Sequence, residues 1–522
     1  MAADQPADEA AGDAPRWRDA VLIGLGATLL AALGSWQVAL WSDEAATASA
    51  ARRSWGELVD LLANVDAVHG VYYALMRLWV GLAGDSALAL RLPSALAVGA
   101  AATGTYVLAG RLAGRRTALL AGALVMVLPR VTWAGIEARP FALALALAVW
   151  ATVALHATWH DRRRWPVLAY GALVAAGVAV NVYVGLVVGA HAATAALVRP
   201  EGRTLLRSGV AAMTGLAAAA PLVLIAAGQS DQLGDATMDP VTLARNVVVN
   251  QWFLGETPTP VSGPASGAPP SGGLTAWQLA GPLLALVVLA LAVWGAGLVG
   301  RRGRLDLAPV TAWAAPWLVV PTLGTVGYAL VSGSGYAPRY LTVAAPALAL
   351  LAASGIAALR GGRAWVALAV VVVLAAPVYA SQRRADAKNG SDWDVVAALV
   401  AERSDPGDGV YFPVRVEAVG APERSLRAVA LAYPAQFADL TDVTLVASPG
   451  ASASLWGRSR PLADAAGSLA HTETVWVVVR ADHPAAALDA DTTVLRESGF
   501  TSTVVHTTAR TTILELRRSA FP

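Results

Sequence analysis

The stretch AVLIGLGATLLAALGSWQVALWSDE, residues 20–44, joins an uncharged run to two adjacent carboxylates. Its first part, Ala20 to Leu40, carries no charge over 21 residues, which is about the length that a helix needs to cross a bilayer. Asp43 and Glu44 follow where this run ends. An ionised pair at the membrane face of an apolar protein is costly unless it is used. The stretch therefore predicts a membrane helix that delivers an acidic pair to the head of an outer loop.

The composition of the whole chain predicts many more such helices. Of its 522 residues, 56% are hydrophobic and 14% are charged, and the mean hydropathy is +0.54. Soluble domains carry about 25% charged residues, so this composition indicates a polytopic membrane protein. The formal charge of +2 reflects Arg-rich loops and gives no basis for a nucleic-acid partner. The absence of cysteine excludes disulfides and thiolate metal sites.

Arginine clusters predict the direction of each crossing, because positively charged loops stay in the cytoplasm. If all five clusters lie inside, the chain must cross the membrane an even number of times between one cluster and the next. The apolar runs then predict 11 spans, with the N-terminus inside and the C-terminus outside. The clusters are Arg111, Arg115 and Arg116; Arg162, Arg163 and Arg164; Arg199, Arg203 and Arg207; Arg301, Arg302 and Arg304; and Arg360 and Arg363. The predicted spans are 20–40, 87–110, 117–130, 140–159, 166–180, 184–198, 208–228, 276–299, 308–331, 341–359 and 364–380.

One apolar segment, Val71 to Gly84, is predicted to lie in the membrane interface. It has only 14 residues and contains Arg77, and if it crossed, all five Arg clusters would lie outside. Aromatic residues such as Tyr72 suit the interface. Residues 41–86 then form one long outer loop, with two helices lying along the membrane.

The remaining segments complete the predicted domain organisation. The polar residues 1–19 are expected to be a disordered cytoplasmic tail, and the first apolar run is expected to be a retained anchor. The Pro-, Gly- and Ser-rich residues 229–275 are expected to be a mobile outer loop within the transmembrane module 20–380. After this module, residues 381–522 contain many charges and no long apolar run.

The last part of the chain predicts a small extracytoplasmic α/β domain, residues 381–522. Residues 392–403 and 484–498 have helical patterns. GVYFPV at 409–414, TVWVVV at 474–479 and a closing pair, STVVHTT and TTILELR, have strand patterns. The predicted fold class is therefore a polytopic α-helical membrane protein with an outer α/β domain.

Polar residues from three separate outer segments are predicted to meet at one membrane face. A carboxylate there can take a proton from a hydroxyl, and an arginine can bind a phosphate through two parallel hydrogen bonds. Together they suggest group transfer from a lipid-linked phosphate to a hydroxyl. The candidate residues are Asp43, Glu44, Asp66, His69, Tyr72, Glu137, Arg139, Tyr336, Arg339 and Tyr340.

Each candidate also has a structural interpretation. Asp43 and Glu44 can simply mark a helix end, and His69 can be a cap or an interface residue. Glu137 and Arg139 can pair with each other at a helix start, where the dipole favours a carboxylate. Arg339 can be an interfacial anchor.

Four stretches resemble the C-type membrane glycosyltransferases, in particular the bacterial branch of the protein O-mannosyltransferase superfamily and its actinobacterial mannosyltransferases. They are WSDEAATASAARRSW, DAVHGVYYALMRLWVGLAGDSALALRLPSALA, GIEARPFALALA and APRYLTVAAP. The resemblance covers roughly residues 36–200 and the short motif at 330–350.

The resemblance implies roles for several of these residues. The catalytic base of the family falls at Asp43, with Glu44 as its neighbour, and the second acidic site falls at Glu137. The late Arg-Tyr motif that meets the donor phosphate falls at Arg339 and Tyr340. Many relatives have His-Pro-Pro where this chain has His69 followed by Gly and Val, which leaves the role of His69 open.

The resemblance further implies an inverting transferase of the plasma membrane that uses a polyprenyl-phosphate sugar, above all mannose. The acceptor hydroxyl would come from a glycan, lipoglycan or protein on the outer side. The resemblance implies that no cofactor is required. Binding of Mg²⁺ or Mn²⁺ by Asp43 and Glu44 stays an alternative, because these ions prefer oxygen ligands.

Other functions remain as alternatives. An arabinosyl or other pentosyl transferase would share the fold. A lipid-linked sugar transporter or flippase would carry charges deep within its spans or broken helices in paired halves. A scaffold that presents the outer domain would leave Asp43, Glu137 and Arg339 unexplained.

Overall fold

A computed structural model describes residues 16–229, 238–255, 275–297, 309–333, 336–415 and 424–519. Parts of three predicted features lie outside these residues. They are the tail up to residue 15, most of the loop 229–275, and the arginine cluster at 301–304.

The described residues before 383 consist mostly of helices. Eight helices among the described residues are long and apolar enough to cross a membrane, and α8 and α9 are shorter apolar helices. The helices are α1 (Trp17–Ala32), α2 (Ser42–Ala51), α3 (Trp55–Asn64), α4 (Gly70–Ala83), α5 (Ala87–Val127), α6 (Pro129–Gly135), α7 (Phe141–His160), α8 (Trp165–Val180), α9 (Val184–Val198), α10 (Gly202–Ala227), α11 (Pro240–Arg245), α12 (Ala276–Gly297), α13 (Pro309–Ser332), α14 (Ala345–Ala357) and α15 (Arg363–Gln382). A π-helix spans Asn246–Leu254, and 3₁₀ turns span Ser35–Gln37, Ala67–His69 and Pro338–Ala344.

The long helix α5 contains two apolar stretches separated by a break. At Ala113 φ is −150°, and at Gly114 φ is +79°, a backbone conformation that glycine adopts without steric cost. The break falls between the predicted spans 87–110 and 117–130. Each predicted span overlaps helical structure among the described residues, while the number of crossings, 11, stays a prediction.

Glycine residues let α1 pack closely against α5. A Cβ at Gly24 would lie 2.3 Å from Thr103 Oγ1, and one at Gly99 would lie 2.0 Å from Thr28 Oγ1. Small residues allow membrane helices to approach in this way. Because α1 and the start of α5 are locked together, the segment between them, which the sequence predicts as an outer loop, is held at both ends.

That outer loop contains three helices, α2, α3 and α4, where the sequence predicted two. The missed helix, α2, is short and rich in alanine and lacks a hydrophobic stripe. Its first turn carries Asp43 and Glu44, and the helix dipole favours negative charge there. The next helix, α3, begins with a capping box in which Ser54 and Glu57 bond to each other's backbone.

Helix α4 corresponds to the segment predicted to lie in the interface. It has 14 residues and is not among the helices long enough to cross. Leu75, Leu78 and Leu82 are exposed along one of its faces, while Tyr73 and Met76 are buried on the other. A one-sided apolar face fits a helix that lies along a membrane surface.

The chain ends in a domain that contains a mixed sheet, so the predicted fold class is confirmed. The strand order is β4-β1-β7-β9-β8, with β4, β1 and β7 parallel and β7, β9 and β8 antiparallel. Short antiparallel pairs join β2 to β3 and β5 to β6. The elements are α16 (Trp393–Arg403), β1 (Gly409–Tyr411), β2 (Val414–Arg415), β3 (Arg424–Ser425), α17 (Arg427–Ala432), β4 (Thr441–Asp442), β5 (Leu445–Ala447), β6 (Arg458–Ser459), α18 (Ala466–Ala470), β7 (Thr474–Arg480), α19 (Ala485–Glu497), β8 (Phe500–Thr507) and β9 (Thr511–Arg518).

Candidate active site

Asp43 lies where three distant parts of the chain meet. Its Oδ2 atom is 3.6 Å from Arg339 Nη2 and 3.9 Å from Arg139 Nε. The side chain of Asp43 is 24% exposed. The structure thus brings together the carboxylate and the two arginines that the sequence singled out.

The Oδ2 atom of Asp43 is buried, yet no described group makes a hydrogen bond to it. The arginine contacts to it are longer than hydrogen bonds. Buried polar atoms normally have a hydrogen-bond partner, so an exception calls for an explanation. This oxygen differs from those of a fully paired carboxylate in keeping its accepting capacity, so it can accept a hydrogen bond from a bound hydroxyl and then its proton.

Glu44 is fully buried, and both oxygens of its carboxylate accept hydrogen bonds. Arg91 donates from Nε to Oε1 at 2.7 Å and from Nη2 to Oε2 at 2.5 Å, and the backbone N–H of Ala138 donates to Oε1 at 3.0 Å. Burial alone would raise the pKa of Glu44, but Arg91 and then Lys388 outweigh it and lower that pKa. A carboxylate in this state is a poor proton acceptor. The geometry thus favours a positioning role for Glu44 over the catalytic role suggested by the sequence.

Arg91 is a residue of this site that the sequence analysis missed. It is fully buried and also donates to the carbonyls of Ser35, Val38 and Ala39 beyond the end of α1. It therefore ties α5 to α1 and to Glu44. The signal that was available is a charge inside an apolar run, which by default marks a functional position.

Arg139 is the centre of a second polar group. Its Nη2 donates to His69 Nε2 at 2.6 Å, and its Nη1 donates to the Tyr73 hydroxyl at 3.2 Å. Tyr73 in turn donates to Asp66 Oδ2 at 2.7 Å. Burial, then Arg139 and Arg339, hold the pKa of His69 well below its usual range. His69 is therefore neutral, with its Nε2 accepting from Arg139. Tyr73 was missed because its sequence pattern marks only an interface residue.

Arg339 lies among aromatic rings. Its guanidinium carbon is 5.8 Å from the centre of the Trp41 ring, 6.0 Å from that of Phe141 and 5.9 Å from that of Tyr340. Tyr340 stacks on Tyr183, with ring centres 4.6 Å apart and planes 14° apart. Cations are attracted to such ring faces. The rings fix Arg339 beside Asp43, and the sequence analysis assigned no role to Trp41, Phe141 or Tyr183.

The remaining candidates occupy different surroundings. Glu137 is buried in the turn between α6 and α7, and Tyr72 is buried within electrostatic reach of Arg139, Glu44 and Glu137. Tyr336 is buried and donates to the side chain of Gln251. The contacts of Tyr336 place it in a separate polar group, beside the π-helix, rather than in the group around Asp43.

Comparisons with known proteins agree with this architecture. Residues 70–226 match the family described as dolichyl-phosphate-mannose-protein mannosyltransferase. The chain superimposes on ArnT from Cupriavidus metallidurans bound to undecaprenyl phosphate with a TM-score of 0.57 and 13% identity, covering 95% of this chain and 97% of ArnT. For ArnT in the apo state the TM-score is 0.54 and the identity 12%, with the same coverage. This is the fold of the C-type membrane glycosyltransferases. No curated protein matches the chain significantly.

The family match and the shared C-type fold together indicate a membrane-embedded glycosyltransferase. An identity of 13% shows the fold alone. This similarity assigns neither the sugar that is moved nor the acceptor.

A divalent cation at Asp43 and Glu44 stays a prediction. No group of three or more His, Asp or Glu side chains in the described part of the chain is placed to hold a metal ion. The Glu44 carboxylate already accepts hydrogen bonds from Arg91 and from the Ala138 N–H. Arg139 and Arg339 already place positive charge beside Asp43.

Proposed function

We propose that the protein is an inverting glycosyltransferase that moves mannose from a polyprenyl phosphate to an acceptor hydroxyl on the extracytoplasmic face of the plasma membrane. The observation that carries this proposal is the 3.6 Å separation of Asp43 Oδ2 and Arg339 Nη2. It sets a proton acceptor beside a phosphate-binding group. The acceptor would belong to a cell-envelope glycan, a lipoglycan or a protein.

In the proposed reaction, the acceptor hydroxyl oxygen attacks the anomeric carbon of the donor sugar. Asp43 takes the hydroxyl proton as the new glycosidic bond forms. The bond between the anomeric carbon and the phosphate oxygen breaks, and its electron pair leaves with the polyprenyl phosphate. Arg339 stabilises the charge that develops on this phosphate. A single displacement of this kind inverts the configuration at the anomeric carbon.

The other residues fit supporting roles in this proposal. Tyr340 and Arg139 would hold the donor phosphate together with Arg339, while Asp66, His69 and Tyr72 would line the space for sugar and acceptor. Glu137 would be the second carboxylate near the acceptor, and Glu44 would position Asp43.

Two similarities support a polyprenyl-phosphate donor. ArnT, which shares the fold, is bound to undecaprenyl phosphate in its structure. The description of the family that residues 70–226 match names dolichyl-phosphate-mannose as the donor of mannose. The membrane helices would keep such a lipid in the bilayer while its sugar is transferred at the outer face.

The donor is tested with the full-length protein reconstituted in lipid. We expect transfer from radiolabelled polyprenyl-phosphate mannose to an acceptor-containing envelope extract, with inverted configuration in the product. Polyprenyl-phosphate arabinose and protein-free vesicles serve as comparisons. Transfer from the arabinose donor alone would make the protein a pentosyl transferase. Movement of intact labelled lipid between leaflets without transfer would make it a flippase.

The proposed orientation predicts which positions face outwards. Asp60 is exposed in the outer loop, and Arg162 is exposed in a predicted cytoplasmic loop. Because the chain contains no cysteine, Asp60→Cys and Arg162→Cys each introduce a single thiol. A membrane-impermeant maleimide should label position 60 in intact cells and position 162 only after permeabilisation. The reverse pattern would overturn the orientation.

A further inference from the structure

The connector between α15 and α16, residues 383–392, packs against the chain that leads to Asp43. The backbone N–H of Ala39 donates to the Ala385 carbonyl at 2.9 Å, and Ser391 Oγ donates to the Leu40 carbonyl at 2.7 Å. Arg383 donates to carbonyls at the end of α1, including that of Leu33 at 3.0 Å. The connector is therefore part of the wall of the site.

This connector carries Lys388, the only lysine of the chain, and buries it completely. Its Nζ atom is 4.0 Å from Glu44 Oε1. The same atom is 4.5 Å from the ring centre of Trp133 and 5.8 Å from that of Trp41. The ammonium thus lies beside Glu44 in a pocket of aromatic rings.

Stability alone is a poor reason for this charge. Burying an ammonium costs free energy, and removing one partner of a buried pair is destabilising only because it leaves the other charge uncompensated. Glu44 would keep its two hydrogen bonds from Arg91 without Lys388. The ammonium is therefore better explained by what it does for the site.

Lys388 contacts both halves of the proposed machinery. On one side it lies beside Glu44, which follows Asp43 directly on α2. The Trp41 ring, 5.8 Å from Lys388, is also 5.8 Å from the guanidinium carbon of Arg339. The Trp41 ring is thus within reach of both the buried cation and the proposed phosphate-binding cation.

The α/β domain docks on the same elements. The Leu40 N–H donates to the Tyr433 hydroxyl at 2.9 Å. Ser49 Oγ, on α2, donates to the Leu455 carbonyl at 2.9 Å, and Arg53 donates to the Pro449 carbonyl at 2.8 Å. The helix that carries Asp43 is therefore held by the domain as well as by the membrane helices.

We propose that Lys388 is a positioning residue for sugar transfer, which holds Glu44 and Trp41 so that Asp43 and Arg339 meet. Through this connector the α/β domain becomes a fixed part of the active site rather than a separate acceptor-binding module. The inference rests on the proposed function.

The test compares Lys388→Met with Arg384→Met in the full-length protein. Arg384 belongs to the same connector, but its side chain is 60% exposed and pairs with Asp386 in its own turn. We expect Lys388→Met to lower kcat about 10- to 100-fold, because small misplacements of reacting groups have effects of this size. The KM for the donor should stay at the wild-type value, and the Tm should stay at or above the wild-type value. Arg384→Met should match the wild type in all three quantities.

A second variant tests the contribution of the domain. Tyr433→Phe removes the hydroxyl that accepts from Leu40, with no change in charge. It should lower kcat several-fold at unchanged KM, with a small loss in Tm because the Leu40 N–H loses its acceptor. Wild-type kcat in either Lys388→Met or Tyr433→Phe would overturn the proposal, and so would loss of folding in Lys388→Met. If the wild type transfers sugar from no polyprenyl phosphate, the proposed function fails instead. The Tm of Lys388→Met then still shows whether the ammonium serves stability.

Discussion

Replacing Asp43 by Asn should lower kcat by about 10²- to 10⁴-fold, which is the usual worth of general-base catalysis. Asn keeps the size of the side chain but cannot take the proton of the acceptor hydroxyl. The contacts of Asp43 with Arg339 and Arg139 are long, at 3.6 and 3.9 Å, so the loss of charge should disturb the fold little. We therefore expect normal amounts of membrane-inserted protein with almost no transfer.

The matched control for this variant is Asp60→Asn, which changes an exposed carboxylate of the same outer loop. It should leave kcat unchanged. The measurement is initial-rate kinetics with polyprenyl-phosphate mannose, together with the Tm of each variant. If Asp43→Asn turned over at nearly the wild-type rate, Glu137 would become the leading candidate for the base, since Arg91 occupies the Glu44 carboxylate.

Replacing Arg339 by Lys should weaken stabilisation of the transition state by about 2–4 kcal/mol, which is roughly 30- to 900-fold in rate. Arginine can bind two phosphate oxygens in one plane, whereas lysine offers a single point charge. The rings of Trp41, Phe141 and Tyr340 around Arg339 also suit a planar guanidinium. Lysine would therefore lose both the paired hydrogen bonds and the ring contacts.

An interfacial anchor would behave differently, because lysine and arginine both extend to the membrane surface. Arg77→Lys is the matched control, since Arg77 also lies over an aromatic ring, 4.9 Å from that of Trp55, in the outer loop. It should keep wild-type kinetics. Rates are measured over a range of donor concentrations, and wild-type rates for Arg339→Lys at every concentration would make Arg339 a structural anchor.

The sequence by itself determined the long apolar helices and the main strands of the fold, because hydropathy and residue alternation act over short distances. Apolar runs of sufficient length predicted helices such as α7 and α15, and alternating patterns predicted β7 and β9. Asp43, Arg139 and Arg339 could be named as candidates because charged residues at the ends of apolar runs stand out locally. That Val71 to Gly84 lies in the membrane interface was predicted from its length, the arginine distribution and its aromatic residues, and it stays a prediction.

Only the tertiary structure decided which of these candidates act together. Asp43 and Glu44 are neighbours in sequence, yet α2 turns Asp43 towards Arg339 and Glu44 towards Arg91, which lies 47 residues further along the chain. Burial and pairing then separate the chemistry of two carboxylates that look alike in sequence. Lys388, from the connector to the last domain, reaches Glu44 only because the chain folds back over α1. Such contacts depend on helix packing between distant segments, and no local pattern encodes them.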